Sequence, residues 1–233
     1  MGETTNCSAI ELRQYTLKPG QRDVLIEIFE RHLIEAQEAA GAIIIGQFRD
    51  LDAPDRFVWL RGFRDMPSRK LALEAFYGSQ VWARHRAAVN DILIDHENVL
   101  LLRPARPGSG FEVDRRYDRV RGGREGLVAT TICPFDAHTL SHLLEFVEKE
   151  LPSKLTEVGA RVLATLVTEP TENNYPRLAI REGESVLVLF ARFPDRESHR
   201  LHVVELKLWP EWRIAAPWSQ VLRLSPSSRS RLA

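Results

Sequence analysis

The chain has 233 residues, 44% hydrophobic and 27% charged, which fits a globular protein with a substantial core and excludes a disordered one. Lys+Arg and Asp+Glu both number 32, so zero net charge argues against a general binder of nucleic acid or anionic membrane. Cys7 and Cys133 make no disulfide framework, no apolar run could span a bilayer, and "MGETTNCSAI" lacks a secretory pattern, so a cytoplasmic protein is expected.

In chain order, "AIELRQYTL" (9–17) alternates apolar and polar residues and predicts a strand. A helix follows from about Pro19, with Val24, Leu25, Ile28, Phe29, Leu33 and Ala36 on one stripe, and Gly41 ends it. The segments "AIIIGQF" and "RFVWLRGF" flank the turn-rich "RDLDAPD" and predict a hairpin. A helical region covers Pro67 to about Val89 with a break near Gly78, and "NVLLLRP" predicts the closing strand. The order strand, helix, strand, strand, helix, strand is a ferredoxin-like one. Residues 106–125, rich in Pro, Gly and Arg, read as a solvated linker.

The second half, 126–226, repeats the first, 1–105. The offset that carries "FRDMPSRKL" onto "FPDRESHRL" also carries Trp82 onto Trp212, and "LLLRP" recurs as "LRLSP". "AHTLSHLLEFVEKEL" supplies the first helix of this copy, and "RVLATLV" and "SVLVLFARF" its hairpin strands. Duplication of one α+β unit is the reading, with residues 227–233 a disordered tail.

Four stretches, "ELRQYTLKPG", "FVWLRGFRD", "FYGSQVWARHRAAVND" and "ENVLLLRP", resemble the NIPSNAP family. That family belongs to the dimeric α/β-barrel superfamily. The resemblance implies antiparallel sheets with helices on one face and a second sheet meeting the other. The expected fold class is therefore α+β, tandem ferredoxin-like units of the dimeric α/β-barrel type. A homodimer is favoured by the resemblance, while a barrel formed by the two copies of one chain is the alternative. The resemblance hands over no settled activity; the wider superfamily includes cofactor-free monooxygenases, isomerases and haem-handling enzymes.

The two-residue period of a strand separates Ile10, Leu12 and Gln14 from Glu11, Arg13 and Tyr15, and the apolar set is expected to face the helices. Phe57, Trp59, Arg61 and Phe63 share a face, opposite Val58, Leu60 and Gly62. Aromatics mixed with arginine suggest the lining of a pocket or interface in the barrel. The candidate catalytic residues are His85, Arg61 and Tyr15. Arg13, Trp59, Phe63 and His96 are candidate substrate contacts. Arginine can fork onto an oxyanion, tyrosine can bond a substrate oxygen and histidine can move a proton near neutral pH. The plain alternative is that Arg13 and Glu11 pair across strands and Trp59 fills the barrel. The offset between copies turns Trp59 into Leu189, Arg61 into Ala191 and His85 into Ala215, which favours a site confined to the first copy. No cofactor is expected, with haem on His85 or His96 as a lesser reading. His138 and His142, with Glu145 one turn on, could bridge a metal but read as a solvated helix face, so no metal site is assigned. The expected partners are a small-molecule ligand, aromatic or carbonyl, and a second copy of the chain.

Overall fold

The computed structural model describes residues 4–114, 126–136, 139–206 and 219–232. Eight strands carry the architecture: β1 (Ala9–Leu17), β2 (Ile43–Asp50), β3 (Arg56–Phe63), β4 (Val99–Pro104), β5 (Leu127–Pro134), β6 (Arg161–Thr168), β7 (Val186–Phe193) and β8 (Gln220–Pro226). Within the first half they lie in the order β2-β3-β1-β4, and within the second in the equivalent order β6-β7-β5-β8. Two seams join the halves: Leu102, Arg103 and Pro104 of β4 pair with β6, and Leu224, Ser225 and Pro226 of β8 pair with β2. All pairings are antiparallel, and the barrel closes on itself within one chain. No second copy is required to complete it.

The barrel interior is filled by apolar side chains. Ile10 and Leu12 of β1, Val58 and Leu60 of β3, and Leu166, Val188, Phe190 and Leu224 from the second half belong to one buried cluster. The opposite strand faces carry Tyr15, Phe57 and Trp59 and meet the helices. This corrects the expected assignment of faces. The two-residue alternation holds, but the apolar set points into the barrel and the arginine-rich set lies under the helices. The reason is closure: a closed barrel has a narrow, dry interior that only interdigitating apolar side chains can fill.

Helix α1 runs as Arg22–Ile28, a π-helical stretch Phe29–Leu33, and Ile34–Ala39. Gly41 follows it with a φ of 105°, a conformation that glycine adopts without strain. Helix α2 (Met66–Tyr77) starts at Asp65, whose carboxylate accepts from the Ser68 amide at 2.7 Å, and ends at Gly78. Helix α3 (Gln80–Ile92) starts at Ser79, whose hydroxyl accepts from the Trp82 amide. The expected break near Gly78 is therefore a C-cap followed directly by a new N-cap. The second half carries α4 (Leu140–Lys149), α5 (Leu151–Glu157) and α6 (Arg196–Leu206) over an aliphatic layer that includes Leu143, Leu155, Leu187 and Leu189.

The described parts of the expected solvated linker and of the expected disordered tail are packed. From the linker, Phe111 is buried in the barrel cluster with its ring 5.0 Å from Phe190; 115–125 lie outside the described residues. From the tail, Leu232 joins the same cluster, Arg229 pairs with Glu35 at 2.5 Å, and Arg229 also donates to the Glu30 carbonyl in the π-helical stretch. Arg231 pairs with Glu38 at 2.5 Å. The tail lacks secondary-structure periodicity, but its arginines meet carboxylates spaced along one face of α1.

Candidate functional site

The outward face of β1 and β3 under the helices holds a buried ionic cluster. Glu11 and Arg61 are directly opposed across the two strands, as are Arg13 and Trp59. Glu11 Oε2 accepts from Arg13 Nη1 at 2.6 Å and from Arg61 Nε at 2.8 Å, while Oε1 accepts from Arg69 Nε of α2 at 2.7 Å. All four side chains are essentially fully buried. Burial opposes ionisation of Glu11, but the charges of Arg61, Arg13 and Arg69 outweigh it and hold the carboxyl well below its usual range. Burial and the neighbouring guanidiniums push Arg69 down despite the pull of Glu11.

Above this cluster, between sheet and helices, lies a cavity of about 350 Å³. Its buried walls are aromatic and aliphatic: Tyr15 and Trp59 from the sheet, Leu25, Phe29 and Leu33 from α1, Phe76 from α2 and Val89 from α3. Trp82 and Tyr77 pack edge to face at 5.2 Å on the same wall. Exposed side chains of Arg86, Asn90, His96 and Arg177 form the rim. The loop between β6 and β7 lends Tyr175, Arg177 and Leu178 to the cavity, so the second half completes a pocket built on the first. The same loop is anchored to the ionic cluster, since Arg69 Nη1 donates to Asn174 Oδ1 at 2.7 Å and Asn173 Oδ1 at 3.1 Å.

The sequence candidates fall into three places. Tyr15, Trp59 and His96 line the pocket, with His96 edge-on to Tyr15 at 6.3 Å. Arg13 and Arg61 lie one layer behind it. Arg13 Nε donates to the Tyr15 hydroxyl at 2.8 Å and Arg61 Nη1 to Gln37 Oε1 at 2.9 Å, so their charge reaches the pocket through Tyr15 and Gln37. His85 and Phe63 are not pocket-lining residues. His85 stacks on His32 at 4.2 Å, and Phe63 packs in a separate cluster with Ala72, Leu73 and Tyr175. His85 shares the helical face of Trp82, Arg86 and Val89, yet α1 intercepts it before the cavity. Burial and the adjacent His32 lower its pKa. His85→Ala is expected to leave stability within about 0.5 kcal/mol and ligand binding unchanged, read by calorimetry. A loss of binding in that variant would return His85 to the site.

Glu11 pairs with Arg13 as the plain alternative held, but along one strand, while its cross-strand partner is Arg61. Trp59 faces the helices and not the barrel interior. Sequence reasoning missed Arg69, Gln37, Tyr77 and Tyr175 as site residues. Two of them left a legible signal: Arg69 sits with Ala72, Leu73 and Phe76 on the buried stripe of α2, and Gln37 continues the Leu25, Phe29, Leu33 stripe of α1. A polar residue at an apolar stripe position calls for a buried partner.

Among the described residues the second half carries no equivalent cluster on its corresponding strand pair. Its strand register sets Ala129 opposite Ala191 and Thr131 opposite Leu189, in the places of Glu11–Arg61 and Arg13–Trp59. Trp212 and Ala215 lie outside the described residues. Cys133 is buried, which pushes its thiol up to about 12 and leaves it a poor nucleophile. His142 and Glu145 are exposed, with Glu145 bonded to Lys149, and His138 lies outside the described residues. Among the described residues no group of three or more His, Cys, Asp or Glu could hold a metal, and no helix is long and apolar enough to cross a membrane.

The fold and cavity define an eight-stranded antiparallel α/β barrel with a pocket between one sheet face and its helices. Residues 10–107 match the NIPSNAP family model. An anthrone oxidase-like protein of solved structure is similar over 99% of each chain, with 13% identity and a TM-score of 0.63. A "putative monooxygenase" from Lactobacillus acidophilus NCFM is similar over 94% of each chain, with 13% identity and a TM-score of 0.56. An uncharacterised NIPSNAP-like domain protein from Burkholderia xenovorans covers 49% of this chain with 100% of its own, at 20% identity and a TM-score of 0.42. No curated protein matches the sequence.

Proposed function

We propose that the pocket above Tyr15 and Trp59 binds a small aromatic or carbonyl compound and supports cofactor-independent oxygenation or isomerisation of it. The observation that carries this reading is an aromatic-walled cavity with a few polar groups at its floor, the usual form of a small-molecule site. The overall likeness to an anthrone oxidase-like protein agrees with it. For oxygenation, a methylene next to an activated ring would lose a proton, pass an electron to dioxygen, recombine as a peroxide and release water. One oxygen atom ends as a carbonyl and the other as water, with the substrate itself as reductant. His96 at the rim is the candidate proton acceptor in place of His85. The haem reading would rest on His96 alone.

The second reading is a binding protein without catalysis. It is favoured by the ionic cluster, which occupies Arg13 and Arg61 with Glu11 and holds them off the pocket. Under either reading the shared strand order supports taking the halves as two ferredoxin-like copies, the second serving as barrel partner and lid. A homodimer would use the outer surface, since the barrel is already closed.

A thermal-shift screen with hydroxylated bicyclic and tricyclic aromatics, followed by oxygen-electrode measurements on the hits, tests the proposal. Stabilisation that is lost in Trp59→Ala, accompanied by oxygen uptake, is the expected result. Binding without turnover selects the second reading, and failure of every compound to bind overturns the pocket.

A further inference from the structure

We propose that the pocket floor is an oxyanion hole formed by the Tyr15 hydroxyl, the Gln37 side-chain amide and the Trp59 indole N–H. The ligand class is then an aromatic compound bound through an ionised ring oxygen. This rests on the small-molecule reading above and narrows it.

The argument begins with what arginine can do. A guanidinium donates hydrogen bonds and accepts none. The Gln37 atom that meets Arg61 Nη1 at 2.9 Å must therefore be the carbonyl oxygen, which turns the NH₂ away from the arginine. The Tyr15 oxygen that meets Arg13 Nε at 2.8 Å must likewise accept, which leaves the phenolic hydrogen to donate elsewhere. Trp59 is 3% exposed and its Nε1 has no hydrogen-bond partner. All three residues line the same cavity. A buried donor without an acceptor, as the Trp59 indole N–H is, is rare in folded proteins and calls for a bound acceptor.

Charge points the same way. Three guanidiniums, Arg13, Arg61 and Arg69, share the single carboxylate of Glu11, and their other hydrogen-bond partners (Tyr15, Gln37, Asn173 and Asn174) are neutral. Burial keeps the Tyr15 phenol protonated by raising its pKa, against the pull of Arg13. The described lining holds Arg86, Arg177 and His96 and neither Asp nor Glu. A low-dielectric pocket backed by surplus positive charge, with fixed donors on its floor, stabilises developing negative charge.

The probes are 4-nitrophenol, whose colour reports ionisation, its neutral methyl ether 4-nitroanisole, and 4-nitrobenzoate. The expected result is a bound nitrophenol whose apparent pKa is about one unit or more below its value in water, with roughly tenfold weaker binding of the ether. Gln37→Glu keeps an acceptor for Arg61, so it should fold with an undiminished Tm, yet it replaces the donor with an anion. That variant should bind the phenolate at least about tenfold more weakly, while Trp59→Phe and Tyr15→Phe each lose part of the pKa shift. Nitrophenol and ether binding equally, with no pKa shift and no effect of Gln37→Glu, would overturn the oxyanion hole and leave the aromatic pocket standing. Tight binding of 4-nitrobenzoate without ionisation of nitrophenol would also overturn it, as a carboxylate site. Binding of no probe by the wild-type chain would overturn the pocket reading and this inference with it.

Discussion

Replacing Glu11 with alanine is expected to lower stability by about 3–5 kcal/mol, a fall in Tm of roughly 6–20 °C for a chain of this size. Glu11 is fully buried and serves Arg13, Arg61 and Arg69 at 2.6–2.8 Å. Its removal leaves three buried guanidiniums without a counter-charge. Glu11→Gln retains an acceptor oxygen and is expected to lose less. Chemical denaturation of both variants measures the difference, and a fall below about 1 kcal/mol for the alanine variant would mean that water or anions already compensate the cluster.

The same residue sets a pH dependence. The Glu11 carboxyl titrates lower in the folded chain than in the unfolded one, so its stabilising contribution is complete above the ordinary carboxylate range. The contribution is lost as pH falls from that range toward the folded-state pKa. Stability curves measured between neutral and acid pH should therefore converge for the wild type and Glu11→Gln at the acid end. Parallel curves would show that other carboxylates govern acid unfolding.

Phe48→Ala is expected to be comparably damaging, at about 3–5 kcal/mol. Phe48 is fully buried in the barrel cluster on β2, in the register that pairs with Pro226 of β8. Its ring also lies against Gly46, where an added Cβ would come within 2.7 Å of it. Because the cavity opens at a seam between halves that share one core, both halves should unfold together in a single, earlier transition. Hydrogen exchange read separately in β3 and β7 tests this. Protection lost in the first half alone would show that the halves are independent units.

Much of this architecture was legible in the sequence. The alternation in "AIELRQYTL", the stripe of α1 and the Gly78 break correspond to β1, α1 and the α2–α3 junction. The mixed aromatic and arginine faces of β1 and β3 carry the buried ionic cluster and two residues of the cavity lining, Tyr15 and Trp59. The site's assembly was less legible, because it depends on contacts distant in sequence. Arg69 reaches Glu11 from α2, and Tyr175 and Asn174 arrive from a loop of the other half. His85 shows the reverse failure: helical spacing placed it beside Trp82, but His32 of α1 occupies its ring face.

By itself the sequence determined which residues share a strand face or helix stripe, since those follow from periods of two and 3.6 that each segment carries internally. It also determined that the polar set belongs to the first half, because Glu11, Arg13, Trp59 and Arg61 have apolar or neutral counterparts in Ala129, Thr131, Leu189 and Ala191. Only the tertiary structure decided which face looks inward. Strand alternation is symmetric between the two sides of a sheet, and closure into a barrel breaks that symmetry. The narrow interior takes the apolar strand faces, and the mixed charged and aromatic faces of β1 and β3 are left to meet the helices and form the pocket.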